Sequence, residues 1–262
     1  MTIPFGRTTA ALRGAGGEAA ALAQHLLRYP TGVGGNRTVA AVCPARPVTA
    51  PPHHGPVLLL HGLVDNRAVF GPLLRHLHRH GWTHLHALNH SPLTADVRAA
   101  AVLLARHVEW AARAHDGRPV TLIGHSLGGL IARYYVQRLG GAGLAPHVVT
   151  LATPHEGTAV ARLPALLPIT RQLRPGSDLL VELRRPAPGC TARFTALAAE
   201  LDEVVVPRRS AWIRHPDLPS DNLMVPGVGH LALPAHPLTL ALVRHALSGP
   251  ELTPELTERH AC

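Results

Sequence analysis

The sequence predicts a protein of the α/β class, with a mostly parallel six-stranded sheet and helices on both faces. Three observations carry that expectation. From residue 57 onward, short apolar runs alternate with longer stretches of helical period, the pattern of parallel strands joined by crossover helices. The 262-residue chain is 46% hydrophobic and only 16% charged, enough apolar material for a large core and too little charge for a disordered chain. No stretch approaches about eighteen uninterrupted apolar residues, so a membrane span is not expected.

The expected strands are Val57–Leu60, His84–Leu88, Val120–Ile123, Val148–Leu151, Phe194–Ala199 and Asn222–Val225. Helices are expected near 67–80, 94–115, 127–139 and 237–247. The second carries Val97, Ala101, Leu104, Val108 and Ala111 on one stripe, and the third carries Leu127, Leu130, Ile131 and Tyr134 at i, i+3, i+4, i+7. Pro237 suits the first turn of the last helix. Upstream, Leu12, Ala19, Leu22 and Leu26 fit a short amphipathic helix. Residues 30–56 are rich in Pro and Gly and predict an irregular lead-in with one edge strand. Residues 248–262 read as a frayed tail. No repeat or linker divides the chain, so 1–262 is expected to be a single domain.

The chain has 25 Lys+Arg, all of them arginine, against 16 Asp+Glu, for a net charge of +9. Scattered arginines and 3% aromatic content do not make a nucleic-acid module, so no nucleic-acid partner is expected. Cys43, Cys190 and Cys262 are odd in number and lack CxxC spacing, which excludes a disulfide framework and a sulfur-rich zinc site. A single Cys43–Cys190 bridge stays open, with reduced thiols the simpler reading. The N-terminus lacks the compact apolar run of a secretory signal, and a cytoplasmic location is expected. His76 with His80, and His84 with His86, have ligand-like spacings. No carboxylate or thiol completes either pair, so neither metal nor organic cofactor is expected.

The most informative residues are Gly124-His125-Ser126-Leu127-Gly128-Gly129, which follow the apolar run VTLI and open an amphipathic helix. A serine in a sharp strand-to-helix turn needs small neighbours two residues away, and Gly124 and Gly128 meet that requirement. Its hydroxyl would then project over the sheet edge as a nucleophile. The N–H of Leu127, at the helix start, could receive a developing oxyanion. The run VLLL leads into His61-Gly62-Leu63, which makes the N–H of Leu63 the second candidate donor.

An activated serine needs a base, and the base an orienting carboxylate. Asp202 follows the strand FTALAA and His230 follows NLMV in the setting Gly227-Val228-Gly229-His230, which puts both on the serine's edge of the sheet. Glu203, Asp217 and Asp221 are rivals for the acid; the last two sit in the Pro-rich loop HPDLPSDN without a strand just before them.

The segments VLLLHGLVDN, VTLIGHSLGGLIARYY, VVTLATPHEGT, LDEVVVP and VGHLAL resemble the α/β-hydrolase superfamily, specifically small bacterial lipases and esterases. The resemblance implies hydrolysis of a small-molecule or lipid carboxylic ester by a Ser126–His230–Asp202 triad, with Leu63 and Leu127 as backbone oxyanion donors. It implies no cofactor and no stable membrane insertion. Residues 159–192 are longer than a minimal lipase needs and carry Leu163, Leu166, Leu167, Ile169, Leu173, Leu179, Leu180, Val181 and Leu183. They are expected to form a helical cap lining an acyl pocket, with ordinary core helices as the other reading. An acyltransferase of the same fold and a catalytically silent binding protein remain the alternatives.

Overall fold

The computed structural model describes residues 55–63, 65–90, 96–162 and 168–249, with isolated positions at 23, 27, 29, 30, 32, 37 and 38. The expected stripe Leu12, Ala19, Leu22, Leu26, the tail from 250 on, and Cys43, Cys262, Leu163, Leu166 and Leu167 lie outside the described residues.

Seven strands among the described residues form one sheet: β1 (Arg37–Thr38), β2 (Val57–Leu60), β3 (Leu85–Leu88), β4 (Thr121–His125), β5 (His147–Leu151), β6 (Arg193–Ala199) and β7 (Ser220–Val225). Their spatial order is β1-β3-β2-β4-β5-β6-β7. The six expected strands pair parallel, and β1 adds an antiparallel edge to β3 within the lead-in. Strands covered on both faces read as continuous apolar runs, which is why VLLL and its successors were legible.

Alternate side chains point to opposite faces and divide the core. Leu58, Leu60, Leu122, Val148 and Phe194 face the helices α2 (Val97–Ala114), α3 (Leu127–Arg138) and α4 (Asp178–Arg184). Val57, Leu59, Ile123, Val149 and Leu197 face α1 (Gly71–Arg79) and α5 (Pro237–Leu247). Local signals set the helix starts. Asp96 Oδ1 accepts from Arg98 N at 2.9 Å and caps α2. The helix expected over 67–80 divides into a 3-10 turn, Arg67–Phe70, and α1. Pro72 lacks the N–H that would carry an α-helix back into the preceding turn.

For the segment 159–192 the sequence leaves both a cap and ordinary core helices open. Ile169, Leu173, Leu179, Leu180 and Leu183 are buried in the core shared with α2 and α3, while Val181 is exposed. Those five residues belong to the core. The buried guanidinium of Arg133 on α3 fastens α4 in place, donating to Gln137 Oε1 at 2.9 Å and to Leu183 O at 3.0 Å. Burial, followed by the charge of Arg138, lowers its pKa to about 10, so it stays a cation at neutral pH. Leu183→Ala should therefore lower the unfolding free energy by about 2–5 kcal/mol in denaturant melts. An independently moving cap would leave the main transition unchanged.

Candidate active site

The sheet order reverses around β2: the chain runs from β2 to β3 on one side, then crosses to β4 on the other. In open α/β sheets the crevice at such a reversal, outside the carboxyl ends of the strands, is where ligands bind. Leu60 pairs with Gly124, so His61-Gly62 and Ser126 leave adjacent strands side by side.

Ser126 sits between β4 and α3 with φ 52° and ψ −118°, a backbone conformation that side chains rarely adopt. Its N–H is held by Leu151 O at 2.8 Å. The turn closes only because three neighbours lack side chains. A Cβ on Gly124 would lie 2.4 Å from Gly129 N, and one on Gly128 would lie 2.2 Å from Leu60 O. The sequence points to those two. A Cβ on Gly129 would meet Thr153 Oγ1 at 1.9 Å, so the third requirement comes from a residue on the neighbouring loop. Leu127 opens α3, where the N–H has no intrahelical acceptor and the helix dipole favours negative charge.

The structure brings His230 and Asp202 together. The Nδ1–H of His230 donates to Asp202 Oδ2 at 2.9 Å, with both side chains buried. The carboxylate can only accept, so this bond sets the neutral tautomer and leaves Nε2 with its lone pair. Asp202 Oδ1 accepts from Val204 N at 2.8 Å and from Val205 N at 2.7 Å, which holds the carboxylate in one orientation. The rival acids are engaged elsewhere or exposed. Asp217 accepts from Ala187 N at 2.6 Å, Asp221 pairs with Arg193 at 2.8 Å, and Glu203 is exposed. The imidazoles of His230 and His125 lie 4.9 Å apart, which brings His230 beside the serine turn.

Several supporting contacts have no clear signal in the sequence. His125 Nε2–H donates to His230 O at 3.2 Å, and its Nδ1 lies 3.9 Å from Asp65 Oδ2. This buried histidine thereby ties the serine turn to the loop of His230 and lies beside the loop after β2. Thr158 does the same for the loop of Asp202: its hydroxyl donates to Val204 O at 2.6 Å and accepts from Val206 N at 3.1 Å. The stretch Thr153-Pro154-His155-Glu156-Gly157-Thr158 therefore packs on the serine turn through Thr153 and holds the loop of Asp202 through Thr158. Among the described residues, no group of three or more His, Cys, Asp or Glu could hold a metal, and no helix is long and apolar enough to cross a membrane. Cys190 is a buried free thiol against Val136 O.

His61, beside the site, and His86, within β3 against Trp110 and His115, are both buried. Burial, then the neighbouring His90, pushes the pKa of His61 down to about 3, and burial, then His115, pushes that of His86 down to about 4. Below the unfolded value of 6.5, the unfolded chain takes up protons that the folded chain refuses. These groups thus contribute stability that is complete above pH 6.5 and declines as the pH falls. The decline stops near pH 4 for His86 and near pH 3 for His61. The urea midpoint should fall steadily from pH 7 to pH 4, and His86→Gln should flatten that slope; an unchanged midpoint would contradict the burial argument.

Comparison with known proteins agrees with the topology. Residues 55–168 match the family model of the alpha/beta hydrolase fold. The mature lipase BlEst2 of Bacillus licheniformis is similar over 77% of this chain and 96% of its own, at 18% identity and TM-score 0.65. Lipase B of Aspergillus fumigatus is similar over 75% of this chain, at 18% identity and TM-score 0.64, and this chain spans 53% of that enzyme. The type II thioesterase BorB of the borrelidin biosynthetic cluster is similar over 82% of this chain and 96% of its own, at 22% identity and TM-score 0.53. The matched residues hold β2 to β5 and the turn at Ser126, and with the architecture shared beyond them they give this chain the α/β-hydrolase fold.

Proposed function

We propose that the protein is a serine hydrolase of carboxylic esters, acting through an acyl-enzyme on Ser126 with His230 as base and Asp202 as orienting acid. The observation that carries this reading is the buried Nδ1–H bond from His230 to Asp202 beside a serine held at positive φ. The lipases among the structural relatives support an ester as substrate.

In this reading Ser126 Oγ attacks the ester carbonyl while His230 Nε2 takes its proton. Asp202 stabilises the resulting imidazolium without itself taking a proton. The carbonyl oxygen, now an anion, is received by the N–H groups of Leu63 and Leu127, each donor being worth about 3–4 kcal/mol. Collapse breaks the bond to the alcohol, which leaves with the proton held by His230. Water, deprotonated by the same imidazole, then attacks the acyl-enzyme and frees the acid.

Turnover of p-nitrophenyl esters with short, medium and long acyl chains tests the activity and ranks the acyl preference. Ser126→Ala should lower kcat by at least ~1,000-fold. Asp202→Asn should lower it by roughly 100- to 10,000-fold, while Glu203→Gln and Asp217→Asn stay within about twofold of the wild type. Full turnover by Ser126→Ala would overturn the assignment.

A further inference from the structure

His90 lies just beyond the end of β3, across β2 from the serine turn, and its sequence neighbourhood carries no catalytic motif. Its side chain is nonetheless committed to the loop that follows β2. The His90 Nε2–H donates to His61 O at 2.9 Å, and the backbone N–H of His90 donates to His61 Nε2 at 3.2 Å. The two imidazoles stack with centroids 3.9 Å apart and planes 16° from parallel. His61 in turn donates its Nδ1–H to Gly62 O at 2.8 Å.

These bonds specify the states of both rings. His61 carries its proton on Nδ1, accepts on Nε2, and stays neutral because burial opposes a charge there. The carbonyls of residues 61 and 62 are both bound to imidazole N–H groups. With two successive carbonyls held, the peptide planes of the loop cannot rotate freely, and the direction of the next N–H, that of Leu63, is constrained with them. The same loop lies against the nucleophile, since a Cβ on Gly62 would approach Ser126 Cβ to 3.1 Å. The adjacent Asn89 reinforces the hold: its Oδ1 accepts from Arg67 N at 2.9 Å, at the far end of the loop.

We infer that His90 is a positioning residue, whose imidazole N–H on the His61 carbonyl holds the oxyanion loop so that the Leu63 N–H meets the charge developing in the transition state. The inference rests on the proposed role of Leu63. It concerns the transition state rather than substrate binding, because a misdirected N–H loses most where the oxygen carries its charge.

Three full-length variants test it with p-nitrophenyl butyrate as substrate and a p-nitrophenyl alkylphosphonate as the probe of the tetrahedral state. His90→Phe keeps the stacked ring and its volume but removes the Nε2–H donor. It should melt like the wild type, lose ~10- to 100-fold in kcat with KM within about twofold, and lose a parallel factor in its phosphonylation rate. His90→Gln restores an N–H near the same carbonyl and should recover most of both rates. A folded His90→Phe with wild-type kcat, a loss confined to KM, or a His90→Gln no better than His90→Phe would overturn the inference. Ser126→Ala separates the two levels. If it is inactive while His90→Phe is normal, only the role of His90 fails; if it retains full turnover, the proposed function fails as well.

Discussion

The close approach of helix α3 to the ends of β2 and β4 is the constraint on which the rest of the site depends. Gly128 lies under Leu60 O, Gly124 lies under the backbone of Gly129, and Gly129 lies under Thr153. With no Cβ at these places, the helix can start directly at the sheet edge, and the chain must turn through Ser126 at positive φ to enter it. A strained serine, a free N–H at Leu127 and adjacency to the loop after β2 follow from that packing. The strain is sustained because Leu151 O holds the turn from one side and the core residues Leu127, Leu130 and Ile131 hold the helix from the other.

Around that turn the loops are fastened to one another more than to solvent. Asp202 uses one carboxylate oxygen for two backbone N–H groups and the other for His230. Thr158 ties the acid loop to the loop after β5, and His125 ties the serine turn to the carbonyl of His230. His90 and His61 do the same on the opposite flank. Catalysis of the proposed kind needs groups held before the charge appears, and buried polar bonds of this sort supply that at no reorganisation cost during the reaction. They also explain how imidazoles are tolerated in this interior: N–H groups of the His61, His90, His125 and His230 rings each meet an oxygen.

Much of the architecture was legible before any coordinates. The apolar runs gave strand positions to within a residue or two, because strands covered on both faces have few polar positions to blur them. Glycine spacing and the helical stripe after Ser126 gave the turn. The segment 159–192 left two readings open, a cap and ordinary core helices, for a physical reason: a leucine-rich amphipathic helix carries the same pattern whether its apolar side meets a ligand cavity or the body of the core. Leu179, Leu180 and Leu183 meet the core, and the buried Arg133 that anchors them is 46 or more positions away in sequence.

By itself the sequence determined the class, the order of the strands along the chain, the serine turn, and the placing of Asp202 and His230 at strand ends on one edge. Those features are local, written in periodicity, glycine and chain order. Only the tertiary structure decided which carboxylate reaches His230, that Thr153 is what excludes a side chain at Gly129, and that His90 closes on His61 and Asp65 approaches His125. Each of these pairs joins residues at or beyond the ends of different strands, and the pairing of those strands in the sheet is what brings them close. A one-dimensional pattern carries no record of such distances.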